Sequence, residues 1–262
     1  MKNYIIKVGE NILHPVTKAN TISFAISTTI MLYISNYLNS MNTKLWIINI
    51  LITMVASTTF YKLLYRLIFY FCKKSRILKE FILGSYYFEG LWIGYCYDQN
   101  GIEYYYESFE QTLEGLVIKG HGFNQHKEFV SDWTIINPNI NISESKFTYY
   151  YELNEVNNDD IVLGYSRSTI VWDTHNHAYR LEGFAFDRLS NNKQVFISRR
   201  IKSLKNSNDY NMWIKNNFWK DVYELANKEI FEYKCYYVSL IILNYPLFLS
   251  NCYIRQISTF HP

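Results

Sequence analysis

Four cysteines in 262 residues, none close to another, leave no disulfide framework to read. Cys72, Cys96, Cys235 and Cys252 show neither pairing nor metal-ligand spacing, and Cys72 and Cys252 sit in or beside apolar runs, so a reducing compartment is the simpler setting. Charge is scarce too: Asp, Glu, Lys and Arg make up 19% of the chain, low for a globule. Nor is there a nucleophile elbow, a phosphate loop, a zinc pattern or a paired-carboxylate motif. No enzyme and no cofactor are expected. His175 and His177, with Asp173 two residues earlier, would share one face of a strand and resemble a metal triad. They lie in the most turn-like part of the sequence and read as a solvated hairpin loop, so no metal is expected either.

The charge that exists is unevenly placed. Residues 86–202 hold ten Lys/Arg against sixteen Asp/Glu, a balance of −6, whereas the remainder holds sixteen against seven, a balance of +9. This describes an acidic globular part between basic flanks. Such a part lacks the basic field that a polymeric nucleic acid requires of a partner.

Between Lys18 and Lys44 there is no charged residue. "TISFAISTTIMLYISNYL", Thr21–Leu38, is moderately apolar and about long enough for a bilayer core of ~30 Å. After a polar interruption at Asn39–Asn42, "LWIINILITMVASTTFY", Leu45–Tyr61, again runs without charge. Two N-terminal transmembrane helices in a tight hairpin are expected, with a buried soluble helix pair as the competitor. A cleavable signal is disfavoured, because no A-x-A site follows and a second apolar span comes at once. Lys2, Lys7 and Lys18 precede the pair, and Lys62, Arg66, Lys73, Lys74, Arg76 and Lys79 follow it, against Lys44 alone in the hairpin. Positive residues favour the cytoplasmic side, which makes the expectation a multi-pass inner-membrane protein with the N-terminus and everything after the pair in the cytoplasm. Residues 62–82 read as a basic juxtamembrane continuation of the second helix, stopped at Gly84.

From 86 to 202 the pattern changes. Turn signals at Asp98–Gly101, Lys119–Gly122, Asn137–Asn141, Asn154–Asp160, Asp173–His177 and Leu189–Lys193 separate about eight β-rich runs. That number and spacing suit a small antiparallel up-and-down β-barrel, with a sandwich as the competing architecture. Side chains alternate along a strand, so each run splits into two faces. In "FTYYYEL" the inward set is Phe147, Tyr149, Tyr151 and Leu153; in "EYYYESF" it is Tyr104, Tyr106 and Ser108; Trp133 goes with Phe129 and Ile135. The interior is then rich in tyrosine, which stacks through its face and needs a partner for its hydroxyl. This fits either an aromatic core or a pocket for planar rings.

In "IVLGYSRSTIV" one face is Ile161, Leu163, Tyr165, Arg167, Thr169 and Val171, and in "VFISRRI" one face is Val195, Ile197, Arg199 and Ile201. Each apolar face carries one arginine, and a buried guanidinium must be satisfied. A carboxylate or a Trp face inside the protein could do so, or the phosphate of a ligand.

Gly90-x-Trp92 on the first strand with Arg199 on the last resembles the Gly-x-Trp and closing arginine of lipocalin-like barrels. The order of an apolar helix hairpin, "EGLWIGY", "FTYYYEL", "LEGFAFD" and "VFISRRI" over residues 20 to 203 resembles the transmembrane β-barrel effectors of CBASS antiphage defence. The resemblance implies a barrel that senses a cyclic di- or trinucleotide made by a partner nucleotidyltransferase. It also implies ligand-induced homo-oligomerisation and disruption of membrane lipid. On it, the ligand-binding set is Arg167, Arg199, Tyr104, Tyr106, Trp133, Tyr149, Tyr151 and Tyr165, with Gly90 and Trp92 closing the barrel. Two alternatives share the fold: a tethered barrel for a fatty acid or another apolar ligand, and a structural subunit that docks a partner protein.

The tail departs from that pattern. Ser207–Lys234 has a capping signal and an amphipathic repeat, so a helix is expected. Cys235–Ile254 has no charge but holds Pro246, and a third span, an interfacial hairpin and a packed accessory element remain open. The expected organisation is an N-terminal segment 1–20, the helix hairpin with its basic extension 21–82, the barrel 85–203 and a helical, partly hydrophobic extension 204–262.

Overall fold

The computed structural model describes residues 15–41, 46–98, 101–156, 160–187, 193–201 and 207–244. The chain divides into two compact units, Met1–Ser207 and Asn208–Pro262.

The first unit opens with α1 (Pro15–Met41) and α2 (Trp46–Lys74), followed by α3 (Arg76–Leu83). Ala19, Ser23 and Ser27 recur every four residues and are buried, so small side chains let α1 approach its partner closely. Polar contacts join the two: the Ser27 hydroxyl donates to the Ser57 carbonyl at 3.2 Å, and the Tyr61 hydroxyl to Asn20 Oδ1 at 2.8 Å. Ser75 separates α2 from α3, its Oγ accepting the Leu78 N–H at 3.4 Å as an N-cap. Gly84 ends α3 with φ 54°, a left-handed conformation that glycine adopts without strain.

These helices overturn the transmembrane expectation. Among the described residues no helix is long and apolar enough to cross a membrane. Length is not what fails, since α1 has 27 residues and α2 has 29. Apolarity fails, because hydroxyl residues are scattered along both. Thr21, Ser23 and Thr29 on α1, and Thr58 and Thr59 on α2, each return a hydrogen bond to the carbonyl four residues back. Other positions of the pair are apolar and exposed, among them Phe24, Leu32, Tyr33, Met54 and Val55. The segment Cys235–Ile254, for which a third span, an interfacial hairpin and a packed accessory element were open, falls partly on residues 245–254, outside the described residues. Its first ten belong to α4 (Ser207–Asn244), the second unit, whose stripe Phe218, Val222, Leu225 and Ala226 is buried. The expected tail helix begins at the expected residue and runs further than Lys234.

The barrel expectation is met. Strands β1 (Gly90–Asp98), β2 (Gly101–Gln111), β3 (Leu116–Phe123), β4 (Phe129–Asn141), β5 (Lys146–Glu155), β6 (Val162–Trp172), β7 (Ala178–Asp187) and β8 (Lys193–Ile201) pair in sequence order. β1 closes on β8, so the sheet has no edge. Two expected turns lie inside strands. Lys119–Gly122 belongs to β3, and Asn137–Asn141 is a bulged part of β4, where the register with β5 shifts between Ile136 and Asn139.

One end of the barrel is packed solid. Trp92 stands 5.0 Å from Phe109 and 6.2 Å from Phe88, and Phe88 lies 5.6 Å from Phe147, ring centre to ring centre. The Trp92 Nε1–H donates to the Phe88 carbonyl at 3.0 Å. The closing arginine is Arg200, not the expected Arg199. It is opposite Trp92 in the register, and its guanidinium sits 4.6 Å over the Tyr87 ring. It also donates to the Tyr87 carbonyl at 3.3 Å and to the Glu89 carbonyl. Gly90 has φ 146° and leaves room for this side chain, since a Cβ there would lie 3.2 Å from Arg200 Nε. The Gly-x-Trp closure is therefore present, with its arginine one residue later than expected.

Arg200→Ala should cost about 2–4 kcal/mol in urea unfolding, because it removes a guanidinium from two buried carbonyls and an aromatic face. Arg200→Lys should recover less than half of this, a lysine lacking the planar fork. Arg199→Ala should stay within about 1 kcal/mol.

Candidate functional site

The other half of the barrel is hollow. A cavity of ≈ 260 Å³ is lined by Cys96, Tyr105, Glu107, Ser131, Trp133, Tyr149, Tyr151, Leu153 and Phe196, with Glu103, Val130, Glu155 and Gln194 toward its mouth. The mouth lies at the end carrying the β1–β2, β3–β4, β5–β6 and β7–β8 connections. The aromatic plug of Phe88, Trp92, Phe109 and Phe147 forms the floor.

Glycines keep this half open. Three of the wall's aromatic side chains lie directly opposite a glycine in the antiparallel register: Tyr105 opposite Gly94, Trp133 opposite Gly120, and Tyr151 opposite Gly164. Each ring lies on the bare backbone of its partner. A Cβ on Gly120 would fall 2.0 Å from Trp133 Cε2, one on Gly164 2.1 Å from Tyr151 Cζ, and one on Gly94 2.5 Å from Tyr105 Cζ. Rings laid flat against the wall leave the centre free, which is the opposite of how the floor is built.

Glu107 is the one buried carboxylate in the wall among the described residues, 4% exposed. Its Oε1 accepts the Trp133 indole N–H at 3.0 Å. Burial pushes its carboxyl up from 4.5 to about 7, and the Trp133 hydrogen bond offsets part of that rise. Tyr105 and Tyr149, also buried and facing the same carboxylate, are held well above the usual tyrosine value, chiefly by desolvation. Both phenols are therefore neutral donors throughout the physiological range. The lining holds three carboxyl side chains, Glu103, Glu107 and Glu155, and among the described residues no Lys, Arg or His.

The expected site residues divide. Trp133, Tyr149 and Tyr151 line the cavity together, and Tyr104 borders it. Tyr106, Tyr165, Arg167 and Arg199 do not. Tyr106 packs on the outer face against His121 at 5.0 Å and Phe123 at 5.9 Å, and Tyr165 against the exposed Tyr150 at 5.4 Å. Arg167 is exposed, and Arg199 alternates with the inward pair Ser198 and Arg200. Gly90 and Trp92 close the barrel end as expected.

On three strands the inner face is not the expected one. The inner face of β2 is Tyr105, Glu107, Phe109 and Gln111; that of β6 is Val162, Gly164, Ser166, Ser168 and Ile170; and that of β8 is Phe196, Ser198 and Arg200. The β6 face is small because Tyr149 and Tyr151 of β5 already fill the space beside it, so its more apolar face is the outer one. On β2 both faces carry aromatic residues, and alternation alone does not single out Tyr105 and Glu107.

The expected loop Asp173–His177 is a turn: Asp173 Oδ1 accepts the backbone N–H groups of His175 and His177, both at 2.9 Å. His177 Nδ1 lies 3.5 Å from Glu80 of α3. Among the described residues no group of three or more His, Cys, Asp or Glu is placed to hold a metal ion. Cys72 is a buried thiol outside any disulfide.

No known family's sequence profile matches the chain, and no curated protein matches it. A solved structure that matches, described as a "putative lipoprotein" from Parabacteroides distasonis, is 10% identical with a TM-score of 0.21. The match covers 44% of this chain and 96% of that one. A TM-score this low carries no argument about fold or function.

Proposed function

We propose that this chain is a lipocalin-like ligand-binding protein whose barrel encloses one small ring-bearing molecule. The observation that carries the reading is the half-filled lumen. A closed eight-stranded barrel has its floor plugged by aromatic side chains and its upper half kept empty by rings laid on glycines. A core packed only for stability would fill this volume, because an empty space of ≈ 260 Å³ forfeits contacts on every side. Aromatic walls with a few fixed polar groups are the usual make-up of a small-molecule site. The Gly90, Trp92 and Arg200 closure supports the same reading.

A cyclic oligonucleotide suits the chamber poorly. Its phosphates would meet Glu107, while Arg167 and Arg199 lie on the outer face. A fatty acid would bring its carboxylate to the same place. The membrane-disrupting output rested on two crossing helices and falls with them. An antiphage setting with a nucleotidyltransferase supplying the ligand is therefore not the reading adopted.

The test is a fluorescence titration of the full chain with N-phenyl-1-naphthylamine, a neutral aromatic dye. Saturable, blue-shifted emission at one dye per chain, with a Kd on the order of micromolar, is expected. Emission that rises linearly with dye, without saturation, would overturn the reading.

A further inference from the structure

We infer that the chamber selects a molecule carrying a positively charged nitrogen, an ammonium group seated against Glu107 and walled by Tyr105, Trp133 and Tyr149. The inference rests on the reading of the barrel as a ligand-binding chamber and adds the chemical class of the ligand.

Three independent features point to a cation. First, the lining holds three carboxylates and, among the described residues, no Lys, Arg or His. An anion entering it would find hydroxyl and amide donors but no positive charge to offset its desolvation. Second, the walls present ring faces at steep angles. Tyr105 and Trp133 meet at 69° with centres 5.7 Å apart, and Tyr149 and Tyr151 at 62° with centres 6.3 Å apart. Aromatic faces carry negative quadrupole potential, so an aromatic wall beside a carboxylate favours an ammonium over an anion. Third, Glu107 is fixed rather than free to turn, its Oε1 pinned by the Trp133 N–H at 3.0 Å. The exposed Glu103 and Glu155 near the mouth add an attractive field on the way in.

The cation would also complete a group that is costly in the empty protein. Burial holds the Glu107 carboxyl up at about 7, and no Lys, Arg or His in the described lining offsets that cost. The titratable groups around it are Tyr105 on β2, Cys96 on β1 and Tyr149 on β5. The two phenols are neutral where Glu107 titrates. An arriving ammonium must therefore find Glu107 ionised or displace its proton, so binding releases a proton below about pH 7 and strengthens as pH rises toward 8.

Three compounds of one skeleton test this in the full chain by titration calorimetry: 3-phenylpropylamine, 3-phenylpropan-1-ol and 3-phenylpropanoate. At about pH 8 the amine should bind at least tenfold more tightly than the alcohol, and the acid should not bind measurably. From about pH 8 to pH 6 the amine should weaken roughly tenfold while the alcohol stays constant. Glu107→Gln should bring the amine down to the level of the alcohol, with circular dichroism confirming the fold. If the alcohol or the acid binds as well as the amine, or if the amine's affinity ignores both pH and Glu107→Gln, the cation inference is overturned and the chamber reading stands. If none of the three binds, the chamber reading fails and takes the inference with it.

Discussion

Replacing Glu107 by Gln should stabilise the empty protein at alkaline pH and leave it nearly unchanged in acid. The folded carboxyl titrates near 7 instead of 4.5, because burial penalises its charged form. Between those values the unfolded chain releases the proton and the folded chain keeps it. Native stability therefore falls as pH rises above 4.5, and the loss is complete a little above 7. The interval corresponds to roughly 3 kcal/mol, an order-of-magnitude figure for a group 4% exposed. Glutamine has the same shape, does not titrate and still offers an oxygen to the Trp133 N–H. Thermal unfolding near pH 8.5 should show the variant melting several degrees above the parent, and near pH 4.5 the two should coincide. An equal difference at both pH values would mean that Glu107 is not held in a dry wall.

Filling the chamber from behind its rings should abolish ligand uptake. Gly164→Ala and Gly120→Ala place a methyl group 2.1 and 2.0 Å from atoms of Tyr151 and Trp133, closer than such contacts occur, so each ring must leave the wall. The backbone blocks the outward direction, and the displaced ring swings into the lumen. Dye affinity should fall at least tenfold in either variant, at a stability cost of about 1–3 kcal/mol for the forced rearrangement. Gly115→Ala is the control, since a Cβ there meets nothing within 4 Å. Dye titration of the three variants checks this, and unchanged affinity in Gly164→Ala and Gly120→Ala would show that the dye binds elsewhere.

The barrel itself was legible, because eight short runs with turn chemistry between them have few other ways to hide their edges. Which side faced in was legible only where one face was clearly larger. On β5, Phe147, Tyr149 and Tyr151 alternate with Thr148, the exposed Tyr150 and Glu152, and bulk gave the right answer. On β6 it gave the wrong one. Gly164, Ser166 and Ser168 look solvent-facing by composition, yet they are inside because Tyr149 and Tyr151 cross the space next to them. The parity error put Arg167 in a site it does not touch and moved the closure from Arg200 to Arg199. On β1 alternation carries no face information, since Leu91, Trp92, Ile93 and Tyr95 are all buried. Gly120 and Gly122 read as a turn because glycine breaks strands on average. Here Gly120 admits the Trp133 ring, a contact between strands that no local pattern encodes. The two long helices were placed correctly as helices and wrongly as membrane spans. The hydroxyl residues already visible in "ISTTI" and "ASTTF" bond back onto their own helices without making those helices apolar.

The upper lumen is a chamber with the buried Glu107 in its wall, which a ligand completes. The most direct test of this is a carbon-13 NMR titration of the Glu107 side-chain carboxyl in the full chain, empty and with 3-phenylpropylamine. The midpoint should lie near 7 when empty and move toward ordinary carboxylate values when the amine is bound. A midpoint already at 4.5 in the empty protein, and unmoved by the amine, would contradict it.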